Sequence, residues 1–285
     1  MQKHLAFALR GIVLWEILKI GTALLSSMHL IDRYAYTNRL RQVNSAHKAG
    51  LTLTIMGLCL ILNKLLVGLV AIGGVGLLGI FLAGIPAKVL GRILLAEASF
   101  LFLATIGVML SVSLHDPGVT MLWRVQVGPL WFSTSYQAML DGSLIVSRAL
   151  GSAAAMNFLA LTTPLVDLID LGRRSHVPPV LLDISSLIYR YIFILLDTLI
   201  RKRSAQESRL GYQTSYLRAM HNAALLASQL FIDAFRRSER LQTALDARGY
   251  NGELRVLMPD YQTEPRLLWA GGLLIVGMVG AWLVS

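Results

Sequence analysis

Five stretches of about twenty apolar residues mark out this chain, and a block of roughly one hundred residues holding more than half of its charged side chains separates the fourth from the fifth. The hydrocarbon core of a bilayer is about 30 Å thick, so an α-helix crosses it in about 20 residues, with every backbone group paired inside the segment. The run from about Ala46 to Ile85 is too long for one crossing and is broken by Asn63-Lys64, which makes it two helices joined by a tight turn. Further spans are expected at about Ile93 to Leu114 and Gly142 to Thr163, and a last one from Leu267 to Val284. Between the third and fourth, His115 to Leu140 reads as a loop, with turn signals at Asp116-Pro117-Gly118 and Gly128-Pro129. A chain that is 55% hydrophobic and 15% charged, with a mean hydropathy of +0.61, is too apolar for a soluble domain of 285 residues. The fold class is an all-α polytopic membrane protein.

One further apolar stretch, Val180 to Ile200, passes a hydropathy window yet carries Asp183, Ser186, Arg190, Asp197 and Arg201 along one helical stripe. Placing its charges in hydrocarbon would cost about 2.5 to 3.5 kcal/mol for each central one. A helix lying on the cytoplasmic surface avoids that cost. With this segment inside, the basic residues Arg33, Arg39, Arg41, Lys48, Lys88 and Arg92 and those from Pro164 to Arg266 share one side, leaving Lys64 and Arg124 outside. The positive-inside rule then gives four spans, a cytoplasmic block and a fifth span whose carboxyl end faces out. The net charge of +10 therefore sets topology and does not point to nucleic acid. The organisation expected is an extension over 1–31, a surface helix or extra span retained rather than cleaved as a signal peptide; spans over 32–163; a cytoplasmic domain over 164–266; and a final span over 267–285.

The cytoplasmic block reads as three helices. Thr163 is expected to cap the first, with Pro164 at its first position, Asp167 and Asp170 early, and Gly172-Arg173-Arg174 closing it. Pro178-Pro179 starts a second helix that runs to about Leu210, with Gly211 as its stop. The third extends from about Ser215 to Arg248, with Leu217, Ala224, Phe231 and Leu245 on one heptad stripe and Met220, Ala227, Ala234 and Leu241 on its neighbour. Two such helices would cross or pair.

The third helix ends in Ala244-Leu-Asp-Ala-Arg248-Gly249-Tyr250, and about forty residues earlier Ala205-Gln-Glu-Ser-Arg209-Leu-Gly211-Tyr212 is a degenerate echo of it. A last-turn arginine followed by glycine is also an ordinary way to finish a helix. Two copies on adjacent long helices favour docking, because the small Ala205, Ser208, Ala244 and Ala247 let a helix end enter a groove and bring its arginine to an acidic partner.

Catalytic motifs do not emerge. No phosphate-binding Gly-x-x-x-x-Gly-Lys-Ser/Thr loop is present, no Gly-x-Ser-x-Gly elbow, and the six histidines form no i, i+4 pair. The single cysteine, Cys59, excludes a disulfide framework. No cofactor or metal ligand set is expected. His115-Asp116 reads as a loop start. Glu97 and Arg148 fall inside spans, where they pair, snorkel or contact a partner, and the glycines Gly68, Gly73, Gly74, Gly76, Gly79 and Gly84 suit close helix approach. A self-contained carrier or membrane enzyme stays open as an alternative, although no inverted repeat is visible.

The order Ile31-Asp32-Arg33-Tyr34-Ala35-Tyr36, Thr162-Thr163-Pro164, Tyr189-Arg190-Tyr191 and Ala244-Leu-Asp-Ala-Arg248-Gly249 resembles the T component of energy-coupling factor (ECF) transporters, in particular the cobalt type, CbiQ. The resemblance covers roughly Ile31 to Ser285. It implies a non-catalytic coupling subunit of an importer in the bacterial inner membrane. Its partners would be two ABC-type ATPases (CbiO type), a substrate-binding S component (CbiM type) and a small accessory subunit (CbiN type). By the same resemblance, Arg209 and Arg248 with their flanking Ala205, Ser208, Ala244, Ala247 and Gly249 dock into the ATPases. Ser208 stands where the first motif usually has alanine, and Leu210 where it has glycine. The cargo implied is cobalt, with nickel or a vitamin as the alternatives.

Overall fold

The computed structural model describes the chain except for residues 1–31, 110, 114–120, 128–129, 210–215, 253–260, 262 and 285. The extension over 1–31, the His115-Asp116 pair, the two loop Gly/Pro signals and the Gly211 stop thus lie outside the described residues. In chain order the helices are α1 (Ser45–Ile61), α2 (Leu65–Leu77, prolonged by a π-helical turn over Leu78–Leu82), α3 (Ala87–Met109), α4 (Tyr136–Thr162), α5 (Leu165–Arg174), α6 (Pro179–Ser208), α7 (Tyr216–Ala247) and α8 (Pro265–Val284). Two compact units emerge, Ile31–Pro164 with Asp260–Ser285, and Leu165–Pro259.

The first unit is a helix bundle centred on α4, which packs against α1, α2 and α3, while α8 packs on α2 and α1. Apolar burial alone does not hold helices together in lipid, so close backbone approach and a few polar ties must. A Cβ at Gly68 would run into the backbone of Ser147, whose hydroxyl donates to the Leu65 carbonyl at 2.9 Å, fastening α2 to α4. Gly74 seats Leu274 of α8 in the same way. The other glycines of this span differ: Gly73 has no neighbour within 4 Å of such a Cβ, and Gly76 and Gly79 make only ordinary contact with Leu90. The most buried polar group is Lys48. Its ammonium is fully enclosed and donates to the Leu40 carbonyl (2.9 Å) and to the Thr162 carbonyl (3.0 Å) at the end of α4. There it meets the negative end of the helix dipole, joined by Asn38, whose amide also reaches Thr162 O at 3.2 Å. A residue read as a topology signal is therefore also the cap of the central helix.

Two span limits move. α3 starts at Ala87 rather than about Ile93, so Glu97 lies ten residues in, about 15 Å; α4 starts at Tyr136 rather than about Gly142, so Arg148 lies about 18 Å in. Hydropathy marks the apolar stretch and not the helix that carries it. Among the described residues five helices qualify as spans by length and hydropathy, Leu65–Leu82, Ala87–Gly107, Tyr136–Thr162, Pro179–Ser208 and Pro265–Val284, and the 17-residue Ser45–Ile61 falls just short. Tertiary grouping sorts α1 and α6 differently: α1 contributes Ile55 and Cys59 to the core of the bundle, whereas α6 belongs to the other unit.

The segment expected to be a loop, His115 to Leu140, holds β2 Met121–Val127 and β3 Leu130–Ser135 of a small antiparallel sheet in the order β1-β3-β2, whose strand β1, Ser111–Ser113, takes the end of the expected third span because α3 stops at Met109. Val127 pairs with Leu130 across a two-residue connection. Two runs rich in aromatic and β-branched residues flanking Gly128-Pro129 are a hairpin signal, which the turn residues alone do not reveal. The fold remains that of a polytopic helical membrane protein, with this sheet as its one β element among the described residues.

In the second unit α5 ends at Arg174 with Arg173 and Arg174 in its last turn, as expected. Gly172 lies inside the helix, where a Cβ would press on Leu182 Cδ2 at 2.9 Å, and the turn is made by His176 at φ 61°, with Val177 N–H closing onto the Gly172 carbonyl at 3.2 Å. Thr163 ends α4, its N–H donating to Leu159 O, and its hydroxyl is buried without a hydrogen bond among the described residues, so it does not cap α5. Pro179 does open α6 at the first helical turn. The heptad seam of α7 is not covered along its length within this chain, since Leu217 is 75% exposed and Phe231 72%.

Candidate docking site at two helix ends

α7 finishes in a Schellman motif. Tyr250 N–H donates to Leu245 O and Gly249 N–H to Asp246 O, each at 3.0 Å, with Gly249 at φ +70°. Glycine adopts that left-handed backbone at no steric cost, so Gly249 turns the chain directly after Arg248, the C-cap of the helix. Ala244, Ala247, Arg248 and Gly249 are all exposed. Asp246, the nearest carboxylate in sequence, accepts from Gln242 Nε2 at 2.9 Å.

α6 ends at Ser208, with Arg209 as its C-cap, the backbone N–H bonding to Gln206 O at 3.2 Å. Ala205, Ser208 and Arg209 are exposed, the Ser208 hydroxyl donating to Ser204 O at 2.9 Å. The neighbouring Glu207 is taken by Arg203 at 2.9 Å. Neither Arg209 nor Arg248 forms an ion pair among the described residues, although each stands within two residues of an acid.

The structure does not bring the two arginines together. α6 and α7 cross antiparallel: Lys202 Nζ meets Asp233 Oδ2 at 2.7 Å, Arg237 donates to Thr198 Oγ1 at 3.3 Å, and Tyr191 and Ile194 share a pocket with Arg240 and Leu241. The ion pair and the cations Arg237 and Arg236 hold the Asp233 carboxyl below the ordinary carboxylate range, the Lys202 hydrogen bond first. Further along, the Tyr250 hydroxyl donates to Asp183 Oδ2 at 3.3 Å. The end of α7 thus lies beside the start of α6, and Arg209 stands about 26 residues away, some 39 Å at 1.5 Å per residue. These are two separate ends of one crossed pair.

The polar stripe of α6 divides. Asp183 is buried, Arg190 is exposed, and Asp197 and Arg201 form a loose exposed pair at 3.8 Å. Sequence reasoning missed that Asp183 joins Arg173 (3.3 Å) to Tyr250. No local signal sets Asp183 apart from the other polar residues of that stripe. In the bundle, Glu97 accepts from Asn157 Nδ2 at 2.9 Å on both carboxylate oxygens, and Arg148 is half-buried with no ion pair among the described residues. No three His, Cys, Asp or Glu side chains among the described residues are grouped to hold a metal ion.

Comparison with known proteins matches residues 40–258 to the family CbiQ, described as cobalt transport protein. The cobalt transport protein CbiQ of Salmonella typhimurium is 28% identical over 79% of this chain and 99% of its own length. A chain of Methanocorpusculum labreanum described as a fused cobalt transport protein CbiMQ is 30% identical over 79% of this chain, which spans 37% of that longer protein. The energy-coupling factor transporter transmembrane protein EcfT of Brevibacillus brevis is 32% identical over 43% of this chain and 50% of its own.

Proposed function

The chain belongs to the CbiQ family and is a transmembrane component of the ECF type, and from that premise we propose that it couples two cytoplasmic ATPases to a substrate-binding membrane partner through Arg209 and Arg248. The observation that carries this reading is the pair of exposed arginines, free of ion pairs among the described residues, on small-residue helix ends about 40 Å apart. A lone helix terminus needs no partner; two, held apart by one crossed pair, suit two copies of a similar socket.

In this reading Leu165–Pro259 is the cytoplasmic coupling domain, α6 lies on the inner-membrane surface, and the bundle of α1 to α4 with α8 spans the bilayer. ATP binding draws the ATPases together, the docked ends follow, and the crossed helices pass the displacement to the partner that holds the substrate. Nucleotide states move the lever only by the difference in their interaction free energy with it. Cobalt as cargo is supported by the family description and by the Salmonella relative's name, and a CbiM-type partner by the fused CbiMQ relative. CbiO-type ATPases and a CbiN-type subunit complete the expected complex.

The test is co-expression with candidate CbiO, CbiM and CbiN chains, purification in detergent, and comparison of wild type with Arg209→Ala and Arg248→Ala. ATPase retained by wild type and lost by each variant is the expected result. Equal retention by all three sinks the docking role. Uptake of radioactive cobalt against nickel by cells holding the complex then decides the cargo.

A further inference from the structure

Three elements end on one carboxylate. Asp183, 3% exposed, accepts from Arg173 at the last turn of α5 through Oδ1 and from the Tyr250 hydroxyl, just beyond α7, through Oδ2, each at 3.3 Å. Each charge sits where a helix dipole favours it: the carboxylate five residues into α6, the guanidinium in the last turn of α5. Burial and the nearby Asp183 charge push the Tyr250 hydroxyl above its ordinary value, so it stays a donor at neutral pH and well beyond. Its folded pKa is raised, so its contribution is complete below the ordinary tyrosine range and is lost only as pH climbs through the raised value.

What this carboxylate fixes is the direction of a helix end. Arg248 and Tyr250 flank the left-handed Gly249, so the geometry that turns Tyr250 back toward α6 also sets where Arg248 projects. At the crossing, Lys202–Asp233 and Arg237–Thr198 locate α7 along α6, with Tyr191 and Ile194 beside Arg240 and Leu241, but leave about the last six residues of α7 beyond Leu241 to pivot. A second attachment beyond the helix end removes that freedom. We infer that Tyr250 is a positioning residue: held by the Arg173-braced Asp183, it aims the α7 docking end, so that Arg248 meets its partner without first paying for order. This rests on the docking role proposed above for Arg248, while the anchoring itself belongs to the isolated chain.

The experiment separates the two. In a Cys59→Ser background, spin labels at Ser185→Cys on α6 and Asn251→Cys beyond α7 report the distance distribution in the full chain in detergent, for wild type, Tyr250→Phe, Asp183→Asn and the double variant. Tyr250→Phe keeps the ring and loses only the donor. Tyr250→Phe is expected to give a broader distribution, ATPase association weakened about three- to ten-fold and an unchanged thermal melt; Asp183→Asn, which also breaks the buried pair with Arg173, is expected to melt lower, and the double variant to be no broader than the worse single. An unchanged distribution in Tyr250→Phe overturns the anchor whatever the association does. A broadened distribution with undiminished ATPase association overturns the aiming role. If Arg248→Ala also associates normally, it is the docking reading that has failed.

Discussion

The bundle and the Leu165–Pro259 unit are both made of long helices, yet they hold them in opposite ways. Of the buried apolar side chains among the described residues, only Leu182 and Leu196 belong to Leu165–Pro259; the others lie in the bundle. The bundle is fastened by close approach to the Ser147 backbone at Gly68 and to the Leu274 side chain at Gly74, and by the bonds of Lys48 and Ser147. The other unit is held at a few points by side-chain pairs, Lys202–Asp233, Arg237–Thr198 and the Asp183 junction, and leaves Leu217, Phe231 and Phe235 exposed. One unit is built to keep its shape alone. On the coupling role proposed above, the other is built to be gripped, because a lever needs stiffness along its rods and free surface for its partners.

The sharpest way to break this contrast is to reverse a charge at a helix end. Arg248→Glu should abolish uptake and ATPase retention while leaving detergent melting unchanged, since removing one partner of a desolvated charge pair costs about 2 to 5 kcal/mol, some thirty-fold or more in affinity. Normal uptake would refute the idea that this unit is gripped there. Next in size, Gly68→Ala should lower the melting temperature and the monodisperse yield, because overpacking costs about 1 to 3 kcal/mol and the obstacle is Ser147 backbone; Gly73→Ala, facing open space, should not. Equal melts for both would show that close approach does not hold the bundle.

Lys48→Met should cost about 1 to 3 kcal/mol through the carbonyls it strands, seen as a lower melt with ATPase retention intact per folded molecule. Asn157→Ala should have a smaller effect, about 0.6 to 1.7 kcal/mol, the range measured for hydrogen bonds between membrane helices. Least of all is the crossing pair. Asp233 titrates below its ordinary value, so its contribution is present above the ordinary carboxylate pKa and disappears only as pH falls through the lowered one. Spin labels across α6 and α7 should show loosening on acidification below about pH 4, and Asp233→Asn should show the same looseness at every pH. A wild-type crossing insensitive to such acid would assign the register to Arg237 and Thr198 instead.

The helix ends proposed for docking were legible as helix ends because their signal is local: a small-residue run, an arginine and a glycine occupy one end, and the Schellman turn at Gly249 follows from that glycine. The junction at Asp183 was not, because its partners lie 10 and 67 residues away in sequence and no local pattern links them. The β2–β3 hairpin was overlooked in a segment read for its turns alone, and Lys48 counted as a loop charge although the end of α4 encloses it.

By itself the sequence determined that the chain is a helical membrane protein, where its apolar runs and its polar block fall, and which helix ends carry arginine, since hydropathy, charge bias and capping act over a few turns. Only the tertiary structure decided that α1 joins the bundle while α6 does not, that α6 and α7 cross antiparallel with their arginines far apart, and that one buried carboxylate ties down the end of α7. Those outcomes depend on which surfaces meet. A helix is closed by its own hydrogen bonds, but its neighbours are chosen by contacts between residues far apart in the chain.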